Sequence, residues 1–352
     1  MKPKSKKIFY TYVQQRSFIE TDLRHLSGSF DLTRFEFTSN PKYLIPVSFL
    51  RQVIHLLILG WRYDIIVCFF AGYHSVAPAL FAKWTNKKCI IFLAGTDCFN
   101  YPSFQYGNFT RKGYGIATCI SAHAASLLAP VSSNLIVKSS PYYTADSIVQ
   151  GIYHWCKNLK TPHQVIPFEY NPELFRRFDI ERKENSFISI AFGIQGTSFI
   201  RKGIDKMLMI AGHFPQYSFT IVGCAATDFP VKVPSNVTLV PPVPHQEIPR
   251  YLSAHQFYLQ LSIAEGFPSA VCEAMLCECI PIGSAVAAIP EIISDYGFLV
   301  KERKDEIILD TIRTAVGYVE KDALGKKARA YIATHFGPGR RINALMELFA
   351  QA

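Results

Sequence analysis

Short apolar runs alternate with stretches of helical periodicity along the whole chain. Ile8–Val13, Asp64–Phe70, Lys88–Leu93, Ile116–Ile120 and Asn134–Val137 are apolar runs of the kind that form buried parallel strands. Between them His74–Trp84 and Ala122–Leu128 read as helices, the second opened by Ser121 as its N-cap. The alternation restarts after residue 185. Strands are predicted at Phe187–Phe192, Ser218–Val222, Val237–Leu239, Phe257–Gln260, Cys279–Ile282 and Phe298–Val300. Helices are predicted at Gly203–Phe214, Gln246–Ser253, Pro268–Glu278 and Lys304–Val316, with a last one over Pro338–Ala352. Two successive α/β series predict two Rossmann-like, doubly wound domains with a ligand cleft at the strand carboxyl ends. The proline-containing, charged stretch Pro162–Asn185 is the expected seam, which gives domains over 1–167 and 168–337 and a closing segment 338–352.

Composition narrows the class. With 352 residues, 49% of them hydrophobic and 14% aromatic, the chain is globular and long enough for two cores. Its nine cysteines are odd in number and sit in apolar runs, so they read as reduced core thiols. Cys272, Cys277 and Cys279 lack a partner pair at metal spacing, and no metal site is expected. The basic start is followed by too short an apolar stretch for a secretory signal and reads as a first strand. Val53–Trp61 falls well short of the roughly 20 residues that span a bilayer. The wider segment Val47–Arg62 is apolar almost all round, the pattern of a helix buried against a sheet rather than one lying on a membrane.

Charge is unevenly shared. Residues 1–170 hold 18 Lys+Arg against 8 Asp+Glu, whereas residues 171–352 hold 19 of each. The first half therefore faces something anionic: a phosphorylated acceptor, an anionic lipid or nucleic acid. Without a zinc finger or RNP-like stretch, nucleic acid is not expected.

Two stretches carry candidate chemistry. In Leu261–Met275 a strand ends, Glu265 and Gly266 occupy a loop, and Pro268 stands where a helix begins. The backbone N–H groups of Ser269 and Ala270 at that helix start form an expected anion site. Glu265 before the helix and Glu273 on its second turn can face one ligand from different depths, and carboxylates suit paired sugar hydroxyls. In Ile188–Asp205 a strand opens into a loop with Gly193, and Arg201-Lys202-Gly203 precedes a helix. Two cations at a helix N-terminus are unfavourable unless an anion lies between them, and a diphosphate would serve.

The run Glu265-Gly-Phe-Pro-Ser-Ala-Val-Cys-Glu273-Ala-Met275, with its E-x7-E spacing, resembles the signature of retaining glycosyltransferase family 4, of GT-B fold. The resemblance extends through Cys279–Ser284 and Ile289–Ile293, and back through Arg201–Gly203 and Ile221–Gly223. The first half is similar only in layout, through Tyr63–Ile66, Gly95–Asp97, Val165–Phe168 and Pro172–Phe175.

The resemblance implies a nucleotide-diphosphate sugar donor bound mainly by the second domain. Arg201 and Lys202 would hold the diphosphate, Glu265 the donor sugar and Glu273 the ribose, while the backbone of Phe267–Ala270 closes on phosphates and donor. Arg201, Lys202, Glu265 and Asp97 are the implied catalytic set, with Asp97 orienting acceptor or donor hydroxyls. Asp97 reads equally well as a turn-forming residue after Gly95. His74 and His123 read as ordinary loop or helix-start residues. Two departures stand out: Ile194 replaces the arginine common after the loop-opening glycine, and Cys279 stands where glycine is common. The first loop, Val13–Ile19, also lacks the usual glycine pair.

The expected activity is retaining, metal-independent transfer of a hexose to a hydroxyl of a glycan or lipid-linked, anionic acceptor in cell-envelope polysaccharide synthesis. No cofactor beyond the nucleotide sugar is expected. The expected place is the cytoplasm, at the inner face of the membrane, with peripheral contact to anionic lipid. A sugar-nucleotide epimerase, a phosphorylase and a non-catalytic glycan-binding subunit of the same fold are the alternatives. The final helix is expected to cross back to the first domain.

Overall fold

The computed structural model describes residues 6–350. They form two compact α/β units. One comprises the chain up to Lys138, Val149–Phe168 and the stretch from Gly339 onward; the other comprises Ser139–Ile148 and Glu169–Pro338. The first unit is thus not continuous over 1–167, because residues 139–148 pack with the second. The last helix, Arg340–Ala350, is part of the first.

In the first unit five parallel strands run β1 (Lys7–Tyr12), β2 (Asp31–Glu36), β3 (Ile65–Phe69), β4 (Lys88–Leu93) and β5 (Leu127–Pro130), in the sheet order β2-β1-β3-β4-β5. Ile8 to Tyr12 and Ile65 to Phe69 are buried throughout, which is why both appear as unbroken apolar runs. Phe69 and Phe92 are register partners and stack at 5.5 Å.

In the second unit six parallel strands, β6 (Lys183–Ile190), β7 (Ser218–Val222), β8 (Val237–Val240), β9 (His255–Gln260), β10 (Ile280–Ser284) and β11 (Phe298–Val300), take the order β8-β7-β6-β9-β10-β11. Phe187 of β6 stacks on Phe219 at 4.9 Å and on Phe257 at 5.0 Å, one ring from each neighbouring strand. Each fully buried ring contributes about 1.5–3 kcal/mol, so this triplet anchors the sheet centre. The order reverses between β6 and β9, and a doubly wound sheet binds ligands beside the carboxyl ends of such a strand pair.

Several local expectations fail, each for a physical reason. Ile116–Ile120 is helical, inside Lys112–Ala124, with Ile116 and Ile120 exposed. A five-residue apolar run cannot by itself distinguish helix from strand. Ser121 lies near the end of that helix and not at its start; its Oγ donates to the carbonyl of Ala117 four residues back. Asn134–Val137 holds the short turn Ser133–Leu135, and β5 occupies part of the helix expected over Ala122–Leu128. Strand β2 went unseen because it is an edge strand, half exposed, with Asp31, Arg34 and Glu36 in its sequence.

Cysteine chemistry also differs from expectation. Cys119 and Cys156, 37 residues apart, form a disulfide, and the other seven thiols are buried. The pairing depends on where the helix Lys112–Ala124 meets the turn Ile152–Trp155, which residue counting does not reveal.

The segment Val47–Arg62 is the largest correction. Its helix, Ile45–Leu59, buries Ser48, Gln52 and Leu56, while Val47, Leu50, Leu57, Ile58 and Trp61 are each 60% exposed or more. The polar residues face the sheet: Gln52 donates to Thr11 Oγ1 at 3.1 Å and Ser48 to the carbonyl of Thr38 at 2.8 Å. With the short turns at its two ends, the helical stretch Lys42–Arg62 reaches 21 residues, the length of a membrane span.

Candidate functional site

The two stretches singled out in the sequence follow β6 and β9, the strands on either side of the order reversal. After β6 the chain makes two left-handed turns, at Gly193 (φ +63°) and Gly196 (φ +58°). An added Cβ would meet nothing within 4 Å at either, so backbone conformation and not space calls for glycine. Ile194 between them is fully buried and contributes its side chain to the core.

Ser198–Arg201 forms one helical turn, and Gly203 (φ +74°) then caps the helix Ile204–His213. Here space matters as well: a Cβ on Gly203 would lie 2.1 Å from the carbonyl oxygen of Leu261. The Ile263 N–H donates to the Arg201 carbonyl at 2.7 Å. Arg201-Lys202-Gly203 is thereby pressed onto the loop leaving β9. Arg201 reaches the Ala264 carbonyl with Nη1, and Lys202 Nζ donates to the Phe192 carbonyl. Burial lowers the Lys202 ammonium from its ordinary value, the Glu265 carboxylate opposes that, and Arg201 adds to it. A half-buried Arg–Lys pair beside the Glu265 carboxylate is a cationic cluster of the kind that suits a polyanion.

Glu265 sits in a polar chain built on β9 and its loop. Its Oε1 accepts from Ser262 Oγ at 2.8 Å and from Gln260 Nε2 at 3.1 Å, and Tyr258 donates to Gln260 Oε1 at 2.8 Å. Ser262 is fully buried and its carbonyl accepts from Ser284 of β10 at 2.6 Å. The carboxylate is thus oriented by donors whose own positions are fixed by two strands.

The helix Ser269–Leu276 begins after Pro268, but its start differs from expectation. The Ser269 N–H is spent on the Phe267 carbonyl at 2.9 Å, and Ser269 Oγ accepts from Tyr170 at 2.8 Å. Phe267 is held between Tyr170 and Phe336, at ring distances of 6.2 and 5.8 Å. Gly266 and Pro268 are buried in the same loop, and Ala270 follows at the partly exposed first turn. The expected anion site therefore lacks a free Ser269 N–H, and the Ser269 Oγ is engaged by Tyr170.

Glu273 is buried and has a partner that spacing in the chain does not reveal. His245 Nε2 lies 2.9 Å from Glu273 Oε1, with the His245 ring edge-on to Phe175 at 5.1 Å. The hydrogen bond to Glu273 raises the His245 pKa despite partial burial. His245 lies in a short turn after β8, Val243-Pro-His-Gln-Glu247, and nothing in that spacing marks it.

Asp97 belongs to the first unit and is wholly buried. Its Oδ2 accepts from the Ala71 N–H at 3.1 Å, and its Oδ1 from Gly95 at 3.0 Å and Ala94 at 3.3 Å. It ties together the loops that follow β3 and β4, and burial raises its pKa to about 6. That is the turn-forming role, executed by a buried carboxyl. His74 is likewise structural: its Nε2 meets the Phe69 carbonyl at 2.8 Å, and burial lowers its pKa to about 4. Cys279 fills the position where glycine is common by directing its Sγ to the Leu252 carbonyl at 3.0 Å.

Residues 189–330 match the family model described as glycosyl transferases group 1, a range that contains Gly193, Arg201, Lys202, His245, Glu265 and Glu273. A search of curated protein sequences gave no match. Among solved structures, sucrose-phosphate synthase from Thermosynechococcus elongatus is similar with TM-score 0.72 and 14% identity, covering 98% of each chain. Anabaena HepE in complex with UDP and glucose is similar with TM-score 0.74 and 15% identity, over 99% of this chain and 100% of that one. A glycosyltransferase from Rickettsia africae is similar with TM-score 0.67 and 15% identity, over 99% of both. The chain thus has the GT-B fold, and its residues 189–330 are similar to glycosyl transferases group 1.

Proposed function

We propose that this protein is a retaining, metal-independent glycosyltransferase that moves a hexose from a nucleotide-diphosphate sugar to a hydroxyl of a glycan or lipid-linked acceptor. The observation that carries the reading is the docking of Arg201-Lys202-Gly203 onto the loop that bears Glu265, beside the strands where the sheet order reverses.

In this reading Arg201 forks onto diphosphate oxygens and Lys202 acts as a point charge on the same group. As the glycosidic bond breaks, negative charge grows on the departing diphosphate, and two preplaced cations stabilise it without reorganisation. That is the role a divalent metal fills elsewhere, and it is the reason metal-independence is proposed. Glu265, oriented by Ser262 and Gln260, accepts from donor-sugar hydroxyls. Glu273, steadied by His245, accepts from the ribose. Gly193, with open space beside it, lets backbone approach the phosphates. The HepE structures hold UDP, glucose and UDP-glucose, so UDP-glucose is the first donor to test.

The test combines donor, acceptor and product. Transfer from UDP-glucose or another sugar nucleotide to polysaccharide-repeat or lipid-linked acceptors is followed by NMR, with and without a chelator. Retained anomeric configuration and activity in chelator support the proposal. Inverted product or strict metal dependence would refute those two parts of it. Sugar release to free phosphate, or isomerised sugar nucleotide, would replace it with a phosphorylase or an epimerase.

A further inference from the structure

The first unit carries an apolar stripe on its outer surface. At 100° per residue, Val47, Leu50, Ile54, Leu57, Ile58 and Trp61 fall within an arc of about 100° on the helical stretch that begins at Ile45. All six are between 47% and 69% exposed. An ordinary surface helix turns such a stripe inward; this one turns Ser48, Gln52 and Leu56 inward, with Gln52 tied to Thr11 of β1 and Ser48 to the Thr38 carbonyl just past β2. Contiguous exposed apolar surface of this kind marks an interaction face.

Cations border the stripe at one end. Trp61 also lines an open hollow of about 1110 Å³ whose lining includes Lys6, Lys7, Arg62, Lys87 and Lys88, with Asp64 as its acidic member. Lys7 starts β1 and Lys88 starts β4, so the hollow lies at the amino ends of the strands. Asp97 and the loops that follow β3 and β4 lie at the opposite, carboxyl ends. The cluster therefore stands away from the end of the sheet where a doubly wound unit binds a small ligand. A second tryptophan extends the apolar area: Trp61 packs edge-on against Phe81 at 5.6 Å, and Trp84, one turn beyond Phe81, is 78% exposed.

We propose that this face docks the protein on an anionic bilayer, with the stripe in the headgroup–acyl boundary and the basic hollow over anionic headgroups. The chemistry fits one occupant best. Aliphatic side chains and two tryptophans suit the interfacial zone, and the flanking lysines and arginine suit its negative potential. Insertion across the bilayer would strip Gln52 and Ser48 from Thr11 and Thr38, so the helix lies on the surface. This inference stands apart from glycosyl transfer, since it uses first-unit residues only.

The test is co-sedimentation of the full chain with vesicles of phosphatidylcholine alone and of three parts phosphatidylcholine to one part phosphatidylglycerol. Wild type is expected to bind the anionic vesicles, with a blue shift of tryptophan emission that Trp61→Phe reduces. Leu50→Ser/Ile54→Ser/Leu57→Ser should lower partitioning at least tenfold, because three exposed apolar chains lose their insertion energy. Arg62→Glu/Lys88→Glu should abolish the preference for anionic over neutral vesicles. Thermal shifts with sugar nucleotides serve as the folding and donor-site control and should be the same in all variants, which separates failure here from failure of the donor site. Wild type that ignores anionic vesicles, or a triple variant that binds them as well as wild type, would overturn the proposal. So would a dimer, seen by light scattering, that the triple variant splits while neither protein binds vesicles.

Discussion

Gly203 and Leu261 meet so closely that a single methyl group on the first would lie 2.1 Å from the carbonyl oxygen of the second. Leu261 follows β9 and Gly203 ends the loop that follows β6, so this contact, with the Ile263 N–H bond to the Arg201 carbonyl, holds the cationic pair against the loop that bears Glu265. Gly203→Ala must adopt φ +74° with a Cβ and push Leu261 away. It should destabilise the protein by about 1–3 kcal/mol from backbone strain and still more from the clash. Donor affinity should fall further than stability alone explains. Thermal melts with and without a sugar nucleotide measure both.

The carboxylate of Glu265 is expected to act through charge-assisted bonds to sugar hydroxyls. Glu265→Gln keeps the shape and removes the charge, which should reduce kcat/KM by about 10- to 100-fold. Ser262→Ala takes away only an orienting donor and should cost less, near 1 kcal/mol, or about fivefold. Equal losses for the two variants would mean that orientation, not charge, is what Glu265 supplies.

His245 and Glu273 predict a pH dependence of stability. The hydrogen bond raises the folded-state pKa of His245 above its ordinary 6.5. The pair's contribution is therefore complete below pH 6.5 and is lost as pH climbs through the higher folded value. His245→Ala should flatten the melting temperature against pH above 6.5 and leave it unchanged in slope below. Because His245 is half exposed, the effect should be small and should shrink in salt.

Asp97 predicts the opposite location on the pH axis. Its carboxyl titrates near 6 when folded and near 3.8 when unfolded. Between those values the unfolded chain releases the proton first, so stability declines as pH rises from about 4 to 6. The decline should be on the order of 3 kcal/mol. Asp97→Asn should remove that slope, measurable by urea denaturation across the range.

Arg341 and Asp22 form a buried, two-pronged ion pair, both contacts at 2.6 Å, with Arg341 also donating to the Ile166 and Pro167 carbonyls. It fastens the last helix to the first sheet's unit, where the guanidinium also lies over the Phe92 and Phe168 rings at 5.2 and 5.0 Å. Arg341→Met should cost about 3–5 kcal/mol by leaving Asp22 buried without its partner. Replacing both partners with apolar residues should recover part of the loss.

Long-range order was legible where the sequence repeats a simple physical rule. All six second-unit strands end within two residues of the expected carboxyl ends, because buried parallel strands are continuously apolar and are bounded by turns. Edge strand β2 escaped that rule, since one face is wet. The Arg201-Lys202 and Glu265 stretches were legible because glycine, proline and charge cluster at strand ends. His245, the Cys119–Cys156 bond and the outward face of Ile45–Leu59 were not. Each depends on what a side chain meets across the fold, and helix 45–59 reads identically whether its apolar face turns in or out.

In the proposed reaction Lys202 and Arg201 hold the diphosphate of a sugar nucleotide. Titration calorimetry of UDP, GDP and ADP sugars against wild type and Lys202→Ala, in chelator, tests it most directly. Wild type should bind one nucleotide class selectively, and the variant should bind it about 10- to 100-fold more weakly as one charged contact is lost. No binding of any sugar nucleotide at millimolar concentration, or equal binding by the two proteins, would contradict it.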